Sequence, residues 1–291
     1  MAAVTSVVLT VGPPGVSPGV VGITLVAAVL HAVWNALAHA VGDRLVGFAL
    51  IGLTYVVVGG IAVLVLGLPP PEAWPFVAAS AVLHVVYTLL LWLSYQLGEF
   101  SQTYPVARGT APWVVALIEL ALGHTLPVLQ SIGIVVISSG LLSLALDGGR
   151  ISRATLPALG AAAATGVAIA GYTVIDAAAV SATPVPVYAG WLFLLQGPVL
   201  PVIALARRGR ELGLTRPVLL AGLGGGLVSI AAYGLVLVAQ TSGATAAVAA
   251  LRETSIVIGA LIGAFFLGER LGARRAIAAA VVAAGIVLVS L

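Results

Sequence analysis

The sequence predicts an all-α integral membrane protein, ten transmembrane helices arranged as two inverted repeats of five. Three observations carry this. Hydrophobic residues make up 61% of the 291 residues and charged ones only 7%, with a mean hydropathy of +1.21, whereas soluble domains carry about 25% charge. The apolar residues fall into runs long enough to cross ~30 Å of hydrocarbon, which takes about 20 helical residues. The second half of the chain also repeats the first, with the loop arginines all in alternate loops.

Glycine, proline and charge delimit the spans. Residues 1–18, MAAVTSVVLTVGPPGVSP, lack the basic stretch and small-residue cleavage pattern of a secretory signal and are expected to form a short extramembrane lead-in. Spans then begin near Gly19, Leu45, Trp74, Ser101 and Leu126 in a first repeat covering residues 19–147. Those of the second repeat, residues 148–291, begin near Thr155, Val185, Pro217, Ala244 and Leu271. The connections LPPPEAW, DGGRISR and ARRGRELGLTR hold the turn formers and charges that the runs exclude. Transmembrane strands need only about ten residues of alternating polarity; these runs are longer and unbroken, so the spans are helical. The 35 glycines and 16 prolines lie in apolar surroundings, where both are common in membrane helices.

The halves match around two arginines. ARGTAPWVVALIELALGH from Ala107 lies over LRETSIVIGALIGAFFLGE from Leu251, so Arg108 falls on Arg252, Thr110 on Thr254 and Ala116-Leu117 on Ala260-Leu261. A one-residue shift then aligns Gly123 with Gly268, Leu126 with Leu271 and Gly140 with Gly285, while upstream Gln96 falls on Gln240. An odd number of helices per repeat makes the second repeat enter the bilayer from the opposite side. The basic residues, all arginine, agree. The loops after spans 1, 3, 5, 7 and 9 together hold Arg44, Arg150, Arg153, Arg207, Arg208, Arg210, Arg216, Arg270, Arg274 and Arg275, with none after span 3. The loops after spans 2, 4, 6 and 8 hold none. The positive-inside rule therefore puts the arginine loops in the cytoplasm and both termini outside, in the periplasm for a bacterial inner membrane.

Arg108 and Arg252 are left inside spans. Each costs about 2.5–3.5 kcal/mol near a helix centre and less near an end, where the side chain snorkels. Two roles are open to them: anchoring or local pairing, and lining a substrate path. Glu253 diverges from Arg252 by about 100° on a helix, so one of the two is expected to face a cavity and the other a neighbouring helix. Glu119 returns to the face of Arg108 about three turns on and is the deepest carboxylate by this segmentation; Asp176 shares a face with Tyr172. Both acids are candidates to carry a coupling proton, with a locally capped acid as the alternative.

Three spans bear partly polar faces. Span 1 sets His31, Asn35 and His39 on one stripe beside Trp34; span 3 sets His84, Tyr87, Leu91 and Tyr95 on one face flanked by Trp92. Span 8 aligns Gly222, Gly226, Ser229, Tyr233 and Gln240, the glycines allowing close helix approach. Four scattered histidines and no cysteine give no converging ligand set, so no metal is expected. The chain has no G-x-x-x-x-G-K-[ST] loop and no nucleophile elbow, which argues against ATP coupling within it. GLGGGL from Gly222 lies inside a span and reads as helix packing. The net charge of +3 comes from loop arginines and reads as a topology signal, so neither nucleic acid nor a cofactor is expected.

HAVWNALAH in span 1, and ETSIVIGALIGAFFLGERLG in span 9 followed by a last span ending AAGIVLVSL, resemble the EamA domains of the drug/metabolite transporter superfamily. The resemblance covers nearly the whole chain, from Gly19 to Leu291. It is broken at His39, where a lysine is common, and at LGHTL, where the first repeat often has its own acidic-basic pair. It implies ten helices around a central cavity, alternating access by rocking of the halves, and export of small metabolites rather than enzymatic turnover. Within the superfamily the chain is similar to the YddG-type amino-acid exporters. On that footing the expected substrate contacts are Trp34, Asn35, His84, Tyr87, Tyr233, Arg252 and Glu253, with Glu119 and Asp176 as proton sites. The expected partners are a small molecule such as an amino acid and the lipid bilayer, with the chain working as a monomer. Three alternatives stand beside this: an exporter of drugs or nucleobase-like metabolites, an intramembrane enzyme on a lipid-linked substrate with Glu119, His84 or His31 as acid or base, and a structural membrane subunit. The scattered depths of the polar residues disfavour the enzyme, and the repeat has no purpose in the structural subunit.

Overall fold

The computed structural model describes residues 16–98, 100–145, 153–209, 211–258 and 273–291, and every regular element among them is helical. Helix α1 (Pro18–Ala40) starts where Ser17 Oγ accepts the Val20 N–H at 3.3 Å, with Pro18 at a position whose N–H has no helical partner anyway. Helix α2 (Arg44–Leu66) is capped by Asp43, whose Oδ1 accepts the Leu45 N–H at 2.9 Å. After the proline-rich turn come α3 (Trp74–Leu97), α4 (Phe100–Ala121) and α5 (Val128–Ala145). The second half holds α6 (Leu156–Val180), α7 (Val185–Gln196), α8 (Val199–Arg208), α9 (Arg216–Gln240), α10 (Thr245–Arg252), a helical stretch at 254–258, and α11 (Ala273–Ser290).

Among the described residues, six stretches are long and apolar enough to cross a membrane: α1, α2, α3, α6, α7 with α8, and α9. Large aliphatic side chains such as Leu64, Val65 and Leu220 are exposed on their outer faces, as a hydrocarbon solvent requires. The chain is a multi-pass membrane protein.

Two spans expected to be unbroken are interrupted. Span 7 divides into α7 and α8 at Gly197-Pro198, because Pro198 and Pro201 have no N–H to give the carbonyls of Leu194 and Gly197. Span 9 stops at Arg252: the Glu253 N–H turns to Ala250 O at 3.1 Å and Thr254 Oγ1 takes Leu251 O at 2.6 Å. The remainder of that span, residues 259–272 with GERLG, lies outside the described residues, as do the side chains of His39, Arg274 and Arg275. Helix α4 is loosened around the matching arginine, since Pro105 and Pro112 leave the carbonyls of Ser101 and Arg108 without their usual donors.

Packing exchanges partners between the halves. Helix α1 packs on α9, and α6 on α3; α2 packs on α7, and α5 on α11. The last two crossings are backbone to backbone. A Cβ on Gly52 would stand 2.5 Å from Gly197 O, and one on Gly133 2.7 Å from Gly285 O, so only glycine permits these approaches. One apolar core joins α4, α5, α6, α10 and α11 around Ile134, Ile137, Leu141 and Leu251. A second joins α3, α6, α7 and α9 around Tyr188, Leu192 and Leu237.

The two ends of the bundle differ. At one, Arg208 pairs with Asp43 at 2.8 Å, Arg44 lies over Tyr95, and Arg207 over Trp92. At the other, Trp191 Nε1 donates to Gly67 O at 2.9 Å and its ring packs edge-on against Trp74.

Candidate functional site

Beside the second core lies a chamber of about 100 Å³, walled by α1, α2, α3, α6, α7, α8 and α9. Its lining is dominated by rings: His31, Trp34, Tyr55, Tyr87, Tyr172 and Tyr233. Ligand pockets run to roughly 300–1,000 Å³, so in this state the chamber has room for a few waters only, each taking about 30 Å³.

The rings are fixed by one another. Trp34 Nε1 donates to His31 Nδ1 at 3.1 Å, so a neutral His31 carries its proton on Nε2. The His84 ring stacks on Tyr172 with centroids 3.9 Å apart, and its Nδ1 is 2.9 Å from Ser80 O. A carbonyl oxygen only accepts, so Nδ1 is the donor and Nε2 of neutral His84 is left as a lone pair. Tyr55 OH and Ser229 Oγ lie 2.6 Å apart, joining α2 to α9.

Behind this wall stands Asp176, with no exposed surface. Its Oδ1 accepts from Tyr188 OH at 2.6 Å and its Oδ2 from Tyr233 OH, with the Ser80 hydroxyl a further neighbour. Tyr233 thus touches the chamber with its ring and the carboxylate with its hydroxyl. One acid ties together side chains from α3, α7 and α9.

A second charged cluster joins α4 to the interrupted end of α10. Arg108 Nε is 2.7 Å from Glu253 Oε2, Arg252 Nε is 3.8 Å from Glu253 Oε1, and Arg108 Nη2 donates to Ser255 Oγ at 3.3 Å. All three charged side chains are buried. Two cations share one anion, and Arg252 Nε and Nη2 make no hydrogen bond among the described residues. Arg252 lies within electrostatic range of His31, His84, Tyr172 and Tyr233, which face the chamber.

Of the residues expected to meet substrate, Trp34, His84, Tyr87 and Tyr233 line the chamber. Asn35, Arg252 and Glu253 are set back from it. The Asn35 amide turns to the His31 carbonyl of its own helix, 2.7 Å away. Glu119, expected as the deepest carboxylate, is 7% exposed, against 0% for Asp176 and Glu253. It sits in the last turn of α4 and pairs with His124 at 3.1 Å, in a small separate pocket with Gln240 and Thr245. Helix α4 ends only two residues later, at Ala121. Tyr55, Tyr188 and Phe193 complete the site and were not singled out in the sequence. Tyr55 left a signal, since it and Thr54 are the polar pair within an otherwise apolar run. Tyr188 had none, because its partner Asp176 lies in the preceding span.

Residues 156–291, which supply Tyr172, Asp176, Tyr188, Tyr233, Arg252 and Glu253, match the model of the EamA-like transporter family. No protein of curated function matches the sequence. A solved structure described only as "Crystal structure of protein" shares the fold, with a TM-score of 0.73 at 18% identity over 93% of this chain and 96% of its own. The second half of the chain is thus similar to the EamA-like transporter family.

Proposed function

We propose that the protein is a secondary exporter of small metabolites, neutral and aromatic amino acids foremost, in the bacterial inner membrane. It works by alternating access between two inverted five-helix repeats, residues 19–147 and 148–291. The observation that carries this is the aromatic chamber, whose Tyr233 hydroxyl donates to the buried Asp176 carboxylate and lies within electrostatic range of Arg252. The exchanged packing of α1 on α9 and α6 on α3, and the glycine crossings of α2 with α7 and α5 with α11, support a pseudo-twofold pair of repeats.

In this reading Trp34, Tyr87 and Tyr233 meet the apolar part of the solute, His84 supplies a polar wall, and Arg252, Glu253 and Asn35 meet its charged ends when the chamber expands. Asp176 is the favoured proton site, because its partner Tyr233 lines the chamber, whereas Glu119 is paired elsewhere. The arginine-bearing end of the bundle is cytoplasmic, both termini are periplasmic, and one chain suffices.

Counterflow in proteoliposomes tests the reading: vesicles are loaded with single unlabelled amino acids and entry of labelled phenylalanine or threonine is followed. Acceleration by particular loads is expected. Entry no faster than in protein-free vesicles for every load would sink it.

A further inference from the structure

A second concavity opens on the side of the bundle, between α2, α3 and α8. At about 210 Å³ it is larger than the chamber, which it meets at Phe48, Thr88 and Leu200, residues that line both. Its walls are otherwise aliphatic, with Leu45, Leu89 and Ile203 among them, until Trp92 and Arg207 at one end. Leu89 is 37% exposed on the outer surface, so the groove opens to hydrocarbon rather than to water.

The basic end is unbalanced. Arg207 is exposed and lies 4.8 Å from the centroid of the Trp92 ring. The adjacent Arg208 is tied to Asp43 at 2.8 Å, which cancels that acid, and no carboxylate among the described residues pairs with Arg207. Leu200 and Arg207 both belong to α8 and are seven residues apart, about 10 Å at 1.5 Å per residue. One leaflet is about 15 Å of hydrocarbon. A chain that hangs from a headgroup at Arg207 therefore runs the length of the groove and reaches the chamber wall before the bilayer midplane.

We infer that this groove binds an acyl chain of an anionic phospholipid, its phosphate held by Arg207 and its methylenes lying between Trp92 and the aliphatic wall. The aliphatic lining selects a hydrocarbon tail, and the uncancelled arginine selects a negative headgroup. Bound there, the chain closes the chamber's side towards the bilayer.

The test uses the full chain in phosphatidylcholine vesicles, titrated with phosphatidylglycerol or phosphatidylcholine brominated along the acyl chains, which quenches nearby tryptophan. The difference between wild type and Trp92→Phe isolates the Trp92 signal from the other four tryptophans. Brominated phosphatidylglycerol is expected to quench it at about five-fold lower mole fraction, the effect of one basic side chain near an anionic headgroup. Arg207→Gln removes the preference, Arg207→Lys retains it, and Ala206→Phe, which fills the groove without touching charge, weakens quenching by both lipids. Equal quenching by the two lipids in wild type, or a preference that survives Arg207→Gln in protein as monodisperse as Arg207→Lys, overturns the proposal.

Discussion

Arg108 Nε stands 2.7 Å from Glu253 Oε2 with the side chains 4% and 0% exposed, so an arginine of the first half is neutralised by an acid of the second. Removing one member of a buried pair leaves the other uncompensated, a loss of about 3–5 kcal/mol, whereas replacing both by apolar groups is often neutral. Here Glu253 also faces Arg252 at 3.8 Å, so Glu253→Gln strands two cations. Denaturant unfolding in detergent is expected to show a loss at the top of that range for Glu253→Gln. A smaller loss is expected for Arg108→Met with Glu253→Met than for the two single changes added together. Strict additivity would mean that the pair is not coupled.

The helix crossings make a prediction of opposite signs. At Gly285 a Cβ would meet Ile137 Cγ1 at 2.7 Å and Gly133 O at 2.9 Å, while at Gly234 it would meet nothing within 4 Å. Gly285→Ala therefore forces α5 and α11 apart and is expected to lower stability by about 1–3 kcal/mol. Gly234→Ala relieves a helix of its glycine and is expected to be neutral or to stabilise by up to about 1 kcal/mol. Thermal unfolding of the two variants side by side checks both. Equal losses would show that the glycines act through helix propensity alone.

Orientation is testable because the chain has no cysteine. Glu211 follows α8 near the arginine end, Ser181 follows α6, and both are exposed. In right-side-out cells, Ser181→Cys is expected to react with a membrane-impermeant maleimide and Glu211→Cys only after permeabilisation. The reverse pattern would invert the topology that the arginine loops imply.

The fold was legible where one physical signal dominates. Apolar runs of span length gave the helices, and arginine placement gave one basic end, which the structure gathers as Arg44, Arg207 and Arg208. The stripe from Gly222 to Gln240 was also legible, since helical spacing alone puts Ser229 and Tyr233 on one face, and both line the chamber. Partnership was not. The divergence of Glu253 from Arg252 was legible, but not the partner it meets, Arg108, 145 positions away, because the helix breaks at Glu253 and turns the carboxylate towards α4. Periodicity assumes an unbroken helix, so it fails where proline or a buried ion pair interrupts one.

The last prediction concerns the two acids proposed for coupling. Asp176 accepts from Tyr188 and Tyr233, and Tyr233 also lines the chamber, so a change in the carboxylate's charge is transmitted to the substrate wall through one side chain. Glu119 contacts His124 and a separate pocket, with no such link. Asp176→Asn keeps the shape and an acceptor oxygen but removes the ionisable group. It is expected to preserve counterflow at symmetric pH within several-fold while abolishing acceleration by an imposed proton gradient. Glu119→Gln is expected to leave both intact, and Tyr233→Phe to weaken both, because it removes a donor from Asp176 and alters the chamber. If gradient acceleration survives in Asp176→Asn and disappears in Glu119→Gln, the proton path runs through the α4 end of the bundle instead. If both variants keep it, neither acid carries the coupling proton, and the Asp176 cluster serves to hold α3, α6, α7 and α9 together around the chamber.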